Sequence, residues 1–186
     1  VIAVPDHNVL DLDSAYTIEM WIRPTVFATN GDRIPILRKG SNYEISLDAQ
    51  GRIFNGKTTS SSPISLFKWQ HVAVTFDGIG TLKTYLDGQE VARLQDNSLS
   101  FTPTSDSLLI APTCLGDAFR GQLDEIRIWA YARSEAEIIT YRDRLLLGNE
   151  DLLQAYYILD SIPLVIDNHQ EAIRDFTGNT TRTTSQ

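Results

Sequence analysis

Cysteine is almost missing from this chain of 186 residues: Cys114 stands alone. No intrachain disulfide can form, and a CxxC zinc site is excluded. Histidine is nearly as scarce, and His7, His71 and His169 show neither HxH nor HExxH spacing. No apolar run approaches the ~18 residues that cross a membrane as a helix, so no membrane insertion is expected. The opening Val-Ile-Ala-Val-Pro has no basic stretch ahead of it and reads as a cut inside a larger protein rather than a signal peptide. Positive charge is also short. Lys and Arg number 16 against 24 Asp and Glu, a formal net charge of −8. Such a chain is a poor partner for a phosphate backbone, which argues against nucleic acid. GxSxG is absent, and Asp77-Gly-Ile-Gly80 is too short for a dinucleotide loop and leads into a strand.

What is present is alternation of period two in short runs bounded by turn residues, the mark of antiparallel strands. Tyr16, Ile18, Met20 and Ile22 face one way, and Thr17, Glu19, Trp21 and Arg23 the other, until Pro24 ends the run. Runs at 34–39, 42–48 and 52–54 follow, the last two joined by a connection of hairpin length, Ala49-Gln50-Gly51. Val72, Val74 and Phe76 alternate with His71, Ala73 and Thr75, and Asp87-Gly88 is a strong hairpin turn between 81–86 and 90–94. The Ser/Thr-rich stretch 56–65 reads as a loop, as do 95–107 and 112–117. A long strand over 119–129 is broken early by Gly121. Ser134 and Glu137 then have capping-box spacing, with Ile138, Tyr141 and Leu145 as one helical stripe and Gly148 as a stop. The expectation is an all-β, two-sheet antiparallel sandwich, a jelly roll of roughly ten strands, with one short helix near 134–146. Residues 1–178 form the domain and 179–186 a polar tail or linker.

Several strings carry a family resemblance. YTIEMWIRP (16–24), WQHVAVTFDG (69–78), TLKTYLDG (81–88), GQLDEIRIW (121–129) with ARSEAEI (132–138), and GNEDLLQAYY (148–157) with DFTG (175–178) occur in this order. They resemble the laminin-G-like, concanavalin A-like jelly roll of bacterial modular surface proteins. The resemblance implies a secreted or cell-surface location, neighbouring domains in the same polypeptide, and a structural or ligand-bridging calcium. It implies non-catalytic recognition of a glycan or an extracellular protein. The alternatives are a spacer or docking module of an adhesin, toxin or phage fibre, and a glycoside hydrolase or lyase.

Asp124 is the acid that stands out. Alternation with Ile126 and Ile128 points it inward, where a carboxylate is costly unless bonded or on a metal. It is either a calcium ligand, with Asp6 and Asp117 as further candidates, or an acceptor of backbone N–H groups from a neighbouring loop. Asp124 and Glu125 are adjacent, so strand geometry sends them to opposite faces. A hydrolytic carboxylate pair must share one, which argues against an enzyme. Recognition is expected on rim loops at 27–33, 55–65 and 112–119. Phe27 and Phe119 offer rings on which a sugar stacks. Asn30, Asp32, Asn55 and Thr58 offer polar groups.

Overall fold

The computed structural model describes residues 1–29, 32–114, 117–159, 176 and 177. In chain order, β1 (Ile2–Val4) leads through a 3-10 turn (Asn8–Leu10) to β2 (Tyr16–Pro24). There follow β3 (Ile34–Lys39), β4 (Tyr43–Leu47), β5 (Arg52–Phe54), β6 (Thr59–Pro63), β7 (Gln70–Phe76), β8 (Thr81–Leu86) and β9 (Gln89–Gln95). Then come β10 (Leu108–Ile110), the short β11 (Thr113–Cys114) and β12 (Asp117–Ala118), β13 (Gly121–Trp129), helix α1 (Glu135–Tyr141) and β14 (Leu153–Tyr157). Sheet A has the order β1-β10-β3-β4-β5-β6, and sheet B the order β14-β13-β2-β7-β8-β9; β11 and β12 form a separate ribbon. Every pairing is antiparallel. The chain is a two-sheet jelly-roll sandwich.

The inner faces are the apolar halves of the alternating runs. Ile18 meets Val74 and Met20 meets Val72 across the register of β2 and β7, with Ile22 next along the same face. They pack against Leu37, Ile45, Leu47 and Ile53 of sheet A in one continuous core. Each such side chain contributes about 1.5–3 kcal/mol by leaving water. Tyr16, Phe76 and Phe101 close one end, with ring centroids 4.9–5.8 Å apart.

Local chemistry fixes the turns. Asp87 and Gly88 both have positive φ, 52° and 88°, as a type I′ hairpin requires. Asp77 Oδ1 accepts from the backbone N–H of Ile79, Gly80 and Thr81 at 2.8–2.9 Å. Partial burial acts to raise the pKa of Asp77, but these N–H bonds outweigh it and draw it down to about 2. Helix α1 opens with the anticipated capping box between Ser134 and Glu137.

Three local expectations are corrected. Residues 59–63 form a strand, not part of a loop. The Ser60 hydroxyl accepts from Ile53 N–H and donates to Ser62 O, and β6 is an edge strand, where Pro63 forfeits little. The helix ends at Tyr141, well short of 146. The carbonyls of Tyr141, Arg142 and Arg144 instead accept from Arg127 and Trp21, which draws the following chain down onto sheet B. Leu145 therefore leaves the expected stripe and is 77% exposed.

The third correction concerns β13. A β-bulge lies between Asp124 and Arg127: Asp124 pairs with Trp21, and Arg127 with Glu19. The extra residue, Glu125, has φ +51°. The phase shifts there, so Asp124 shares the outer face with Trp21 instead of pointing inward. Glu125 reaches Arg127 and Tyr156 on that same outer face. Adjacent carboxylates thus lie on one side of the sheet, which simple alternation forbids.

Candidate functional site

The two outer faces differ. That of sheet B is covered over β13, β2 and β7 by α1 and the segment after it. There Glu19 is fully buried. Its Oε1 accepts from Arg133 Nη1 at 2.7 Å and Trp129 Nε1 at 2.9 Å, and Arg127 Nη1 lies at 3.6 Å. Arg127 also donates to Glu125 at 2.7 Å. His71 Nε2 lies 3.5 Å from Glu19 Oε2. Burial, with the charges of Arg127, Arg142 and Arg133, drives the His71 pKa down to about 3, so the imidazole is neutral at physiological pH. This network clamps the cap to the sheet.

The outer face of sheet A carries a groove of about 600 Å³ between the 32–38 segment and the β4–β5 hairpin. Register builds it. Arg38 pairs with Glu44, Pro35 with Ser46, and Ser46 with Phe54, so these side chains share one face. The Arg33 guanidinium lies 3.7 Å over the Phe54 ring centroid. Arg52 Nε bonds Asp48 Oδ2 at 2.7 Å, and Arg38 Nε stands 4.0 Å from Glu44 Oε2. The hairpin tip is a type I turn closed by Gly51 at φ +78°. A Cβ on Gly51 would stand 2.5 Å from the ring of Phe27, which wedges beneath the turn.

The groove is a row of planar charged forks around one aromatic ring. Forks of this kind bind vicinal hydroxyls or carboxylates in pairs. Burial acts to raise the Asp48 pKa, but the backbone N–H and side chain of Arg52, with Gln50 N–H, lower it overall. A carboxyl held low is a poor general acid, whereas glycoside hydrolysis needs one held high.

The anticipated site residues separate here. Asp32 lines the groove and is exposed. Phe27 supports it from beneath, and Asn30 lies outside the described residues. Asn55 is only 2% exposed. Its Oδ1 accepts from Lys57 and Thr58 N–H, and its Nδ2 donates to Thr84 Oγ1, so Asn55 and Thr58 build a turn. Phe119 packs against the core. Arg33, Arg38, Asp48 and Phe54 were not singled out. Alternation over 42–48 and 52–54 held the signal for Glu44 and Phe54.

Of the acids named for calcium, Asp6 and Asp124 are bonded in different parts of the structure. Asp6 and Asp11 both bond the buried Lys39 ammonium, at 2.8 and 2.7 Å, so a side-chain cation already sits between them. Asp124 Oδ1 accepts from Glu125 and Leu159 N–H at 2.8 and 3.1 Å, the backbone-acceptor alternative. The side chain of Asp117 is outside the described residues. Among the described residues no three His, Cys, Asp or Glu side chains are grouped to hold a metal.

A family model, the concanavalin A-like lectin/glucanases superfamily, matches residues 1–139. The chain belongs to this superfamily. The match stops before β14, yet β14 pairs with β13 and completes the sheet. Pappalysin-1 of Mus musculus is 23% identical over 158 residues, spanning 68% of this chain and 9% of that protein. A Bacteroides ovatus protein whose carbohydrate binding is itself inferred superposes with a TM-score of 0.76 at 24% identity, over 95% of this chain and 53% of that one. Domain 4 of AbnA, an extracellular GH43 arabinanase of Geobacillus stearothermophilus solved with arabinotriose, gives 0.59 at 23% identity, over 74% of this chain and 70% of that one. At these identities the likeness is one of fold. The superfamily member described here spans about half of the Bacteroides protein and a small fraction of pappalysin-1. No helix among the described residues is long and apolar enough to cross a membrane.

Proposed function

We propose that this chain is a non-catalytic recognition domain that binds a glycan across the outer face of sheet A. It would work outside the cell or at its surface, beside other domains of a larger protein. The groove of Arg33, Phe54, Arg38, Glu44, Asp48 and Arg52 carries this reading. It presents paired hydrogen-bonding forks and one ring to solvent, and its Asp48 carboxyl is tuned away from acid catalysis. Carbohydrate-linked relatives of the same fold support it.

A glycan array with the wild type and the Arg33→Ala/Phe54→Ala double variant tests it. The expected result is a set of hits that the double variant loses at unchanged melting temperature, and that EDTA leaves in place. Hits that survive the double variant would move the site elsewhere. An array with no hits, and a protein ligand captured instead, would overturn the glycan reading.

A further inference from the structure

A second cleft, of about 310 Å³, opens on the opposite side of the sandwich, where the cap leaves the end of sheet B uncovered. Its walls are Trp21, Trp69, Asp124, Arg127 and the segment after α1. None of these residues belongs to the groove on sheet A.

Its parts are held in place. Trp21 donates its Nε1–H to Arg142 O at 3.0 Å, and its ring stands edge-on to His71 with centroids 5.4 Å apart. Trp69 is 42% exposed, high for so large an apolar ring next to a buried strand. Asp124 is fixed by two backbone N–H groups on one oxygen, while among the described residues its other oxygen takes no hydrogen bond and the carboxylate has no ion-pair partner. Arg127 is 1% exposed and lines the cleft, and its Nε–H has no hydrogen-bond partner among the described residues. The bulge that aims Asp124 and Glu125 to this side depends on a left-handed Glu125, a conformation unfavourable for a side-chain-bearing residue. Such strain persists where the surroundings over-determine it and gathers at binding sites.

An exposed indole, a fixed acceptor oxygen beside it and a buried donor suit a ring with one apolar face and hydroxyls at its edge. Asp143 is paired with Arg142, and Glu125 with Arg127. Arg144, also on the wall, lies with its guanidinium 5.1 Å from the Tyr141 ring centroid, and the Asp124 carboxylate itself repels an acidic sugar set beside it. The geometry points to a second saccharide site here, one that stacks a neutral sugar ring on Trp69 and takes its hydroxyls on Asp124. The domain then holds two sugars, one on each outer face.

The three indole N–H signals in a ¹H–¹⁵N spectrum give the readout, since the chain has three Trp. Trp129, whose Nε1 is bonded to buried Glu19, serves as internal reference. The titrants are arabinotriose, cellotriose and mannotriose. The expected result is that at least one shifts the Trp69 and Trp21 signals at millimolar concentration, with Trp129 unmoved. Asp124→Asn should raise that Kd at least tenfold, and Trp69→Ala should abolish the Trp21 shift. Phe54→Ala, a groove variant, should leave both shifts intact, so the two sites fail or succeed separately. The inference is overturned if all three trisaccharides leave Trp69 still. Unchanged affinity in Asp124→Asn, or a Trp21 shift lost in Phe54→Ala and kept in Trp69→Ala, would overturn it too.

Discussion

Arginine and glutamate or aspartate sit on the outer faces of both sheets, but in opposite solvent. On sheet B, Glu19, Arg127 and Arg133 are all buried beneath the cap, where Trp129 donates to Glu19 and Tyr156 to the Glu125 that pairs with Arg127. On sheet A, Arg33, Arg38 and Arg52 stand in water beside Asp32, Glu44 and Asp48. The residue types do not say which cluster is structural. Covering does: a buried pair that loses one partner leaves the other charge uncompensated, whereas an open pair can exchange its partner for a ligand at little cost.

The sharpest way to break this comparison is to remove the acid from the covered cluster. Glu19→Ala strands Arg133, takes the acceptor from Trp129 Nε1 and leaves Glu125 as the carboxylate of Arg127. Loss of one partner of a buried pair costs about 3–5 kcal/mol. Urea denaturation should show a loss of that size, with the helix loosening first in hydrogen exchange. A loss below about 1 kcal/mol would mean that the cap does not depend on its charges.

Acid gives the next effect. Unfolded, His71 takes a proton near pH 6.5; folded, burial and the surrounding arginines hold that uptake off until about pH 3. The unfolded state therefore binds one more proton across that window. The stability that neutral His71 allows is complete above pH 6.5 and falls as the pH is lowered, by at most about 1.4 kcal/mol per unit from this group. His71→Gln should flatten the slope between pH 6.5 and 4 relative to wild type. An unchanged slope would assign the acid sensitivity to the carboxylates. Asp77, with a depressed pKa, acts in the same direction but at lower pH, between the ordinary aspartate range and about 2.

Much of this difference is absent from the sequence. Alternation predicted the inner faces well, because Ile18, Met20, Val72 and Val74 repeat with the strand period. The hairpin at Asp87-Gly88 and the capping box at Ser134 are local signals and were legible. The bulge at Glu125 was not: one extra residue against β2 reverses the phase of everything before it, and only pairing reveals it. The cap also depends on contacts between residues more than a hundred positions apart, such as Arg133 with Glu19. For the groove, the loop at 27–33 was the right neighbourhood, and Asp32 lies in it. Arg33 and Phe54 come together only through the register of β3, β4 and β5. Asn55 was the reverse case, a polar residue in a Ser/Thr-rich stretch with two bonds inside its own turn and a third to Thr84 on β8.

The smallest effect on stability should come from the open face, and its smallness is informative. Arg38 and Glu44 are cross-strand neighbours 4.0 Å apart, both in contact with water. Pairs of this kind contribute about 0–1 kcal/mol and are screened by salt. Glu44→Ala should therefore move the unfolding free energy by less than about 0.5 kcal/mol. Glycan affinity should fall several-fold at the same time, because Glu44 is one of the groove's acceptors. The two readouts must part company. If Glu44→Ala cost as much stability as Glu19→Ala, the groove's charges would be structural like those of sheet B. If neither readout moved, Glu44 would border the site without touching what it binds.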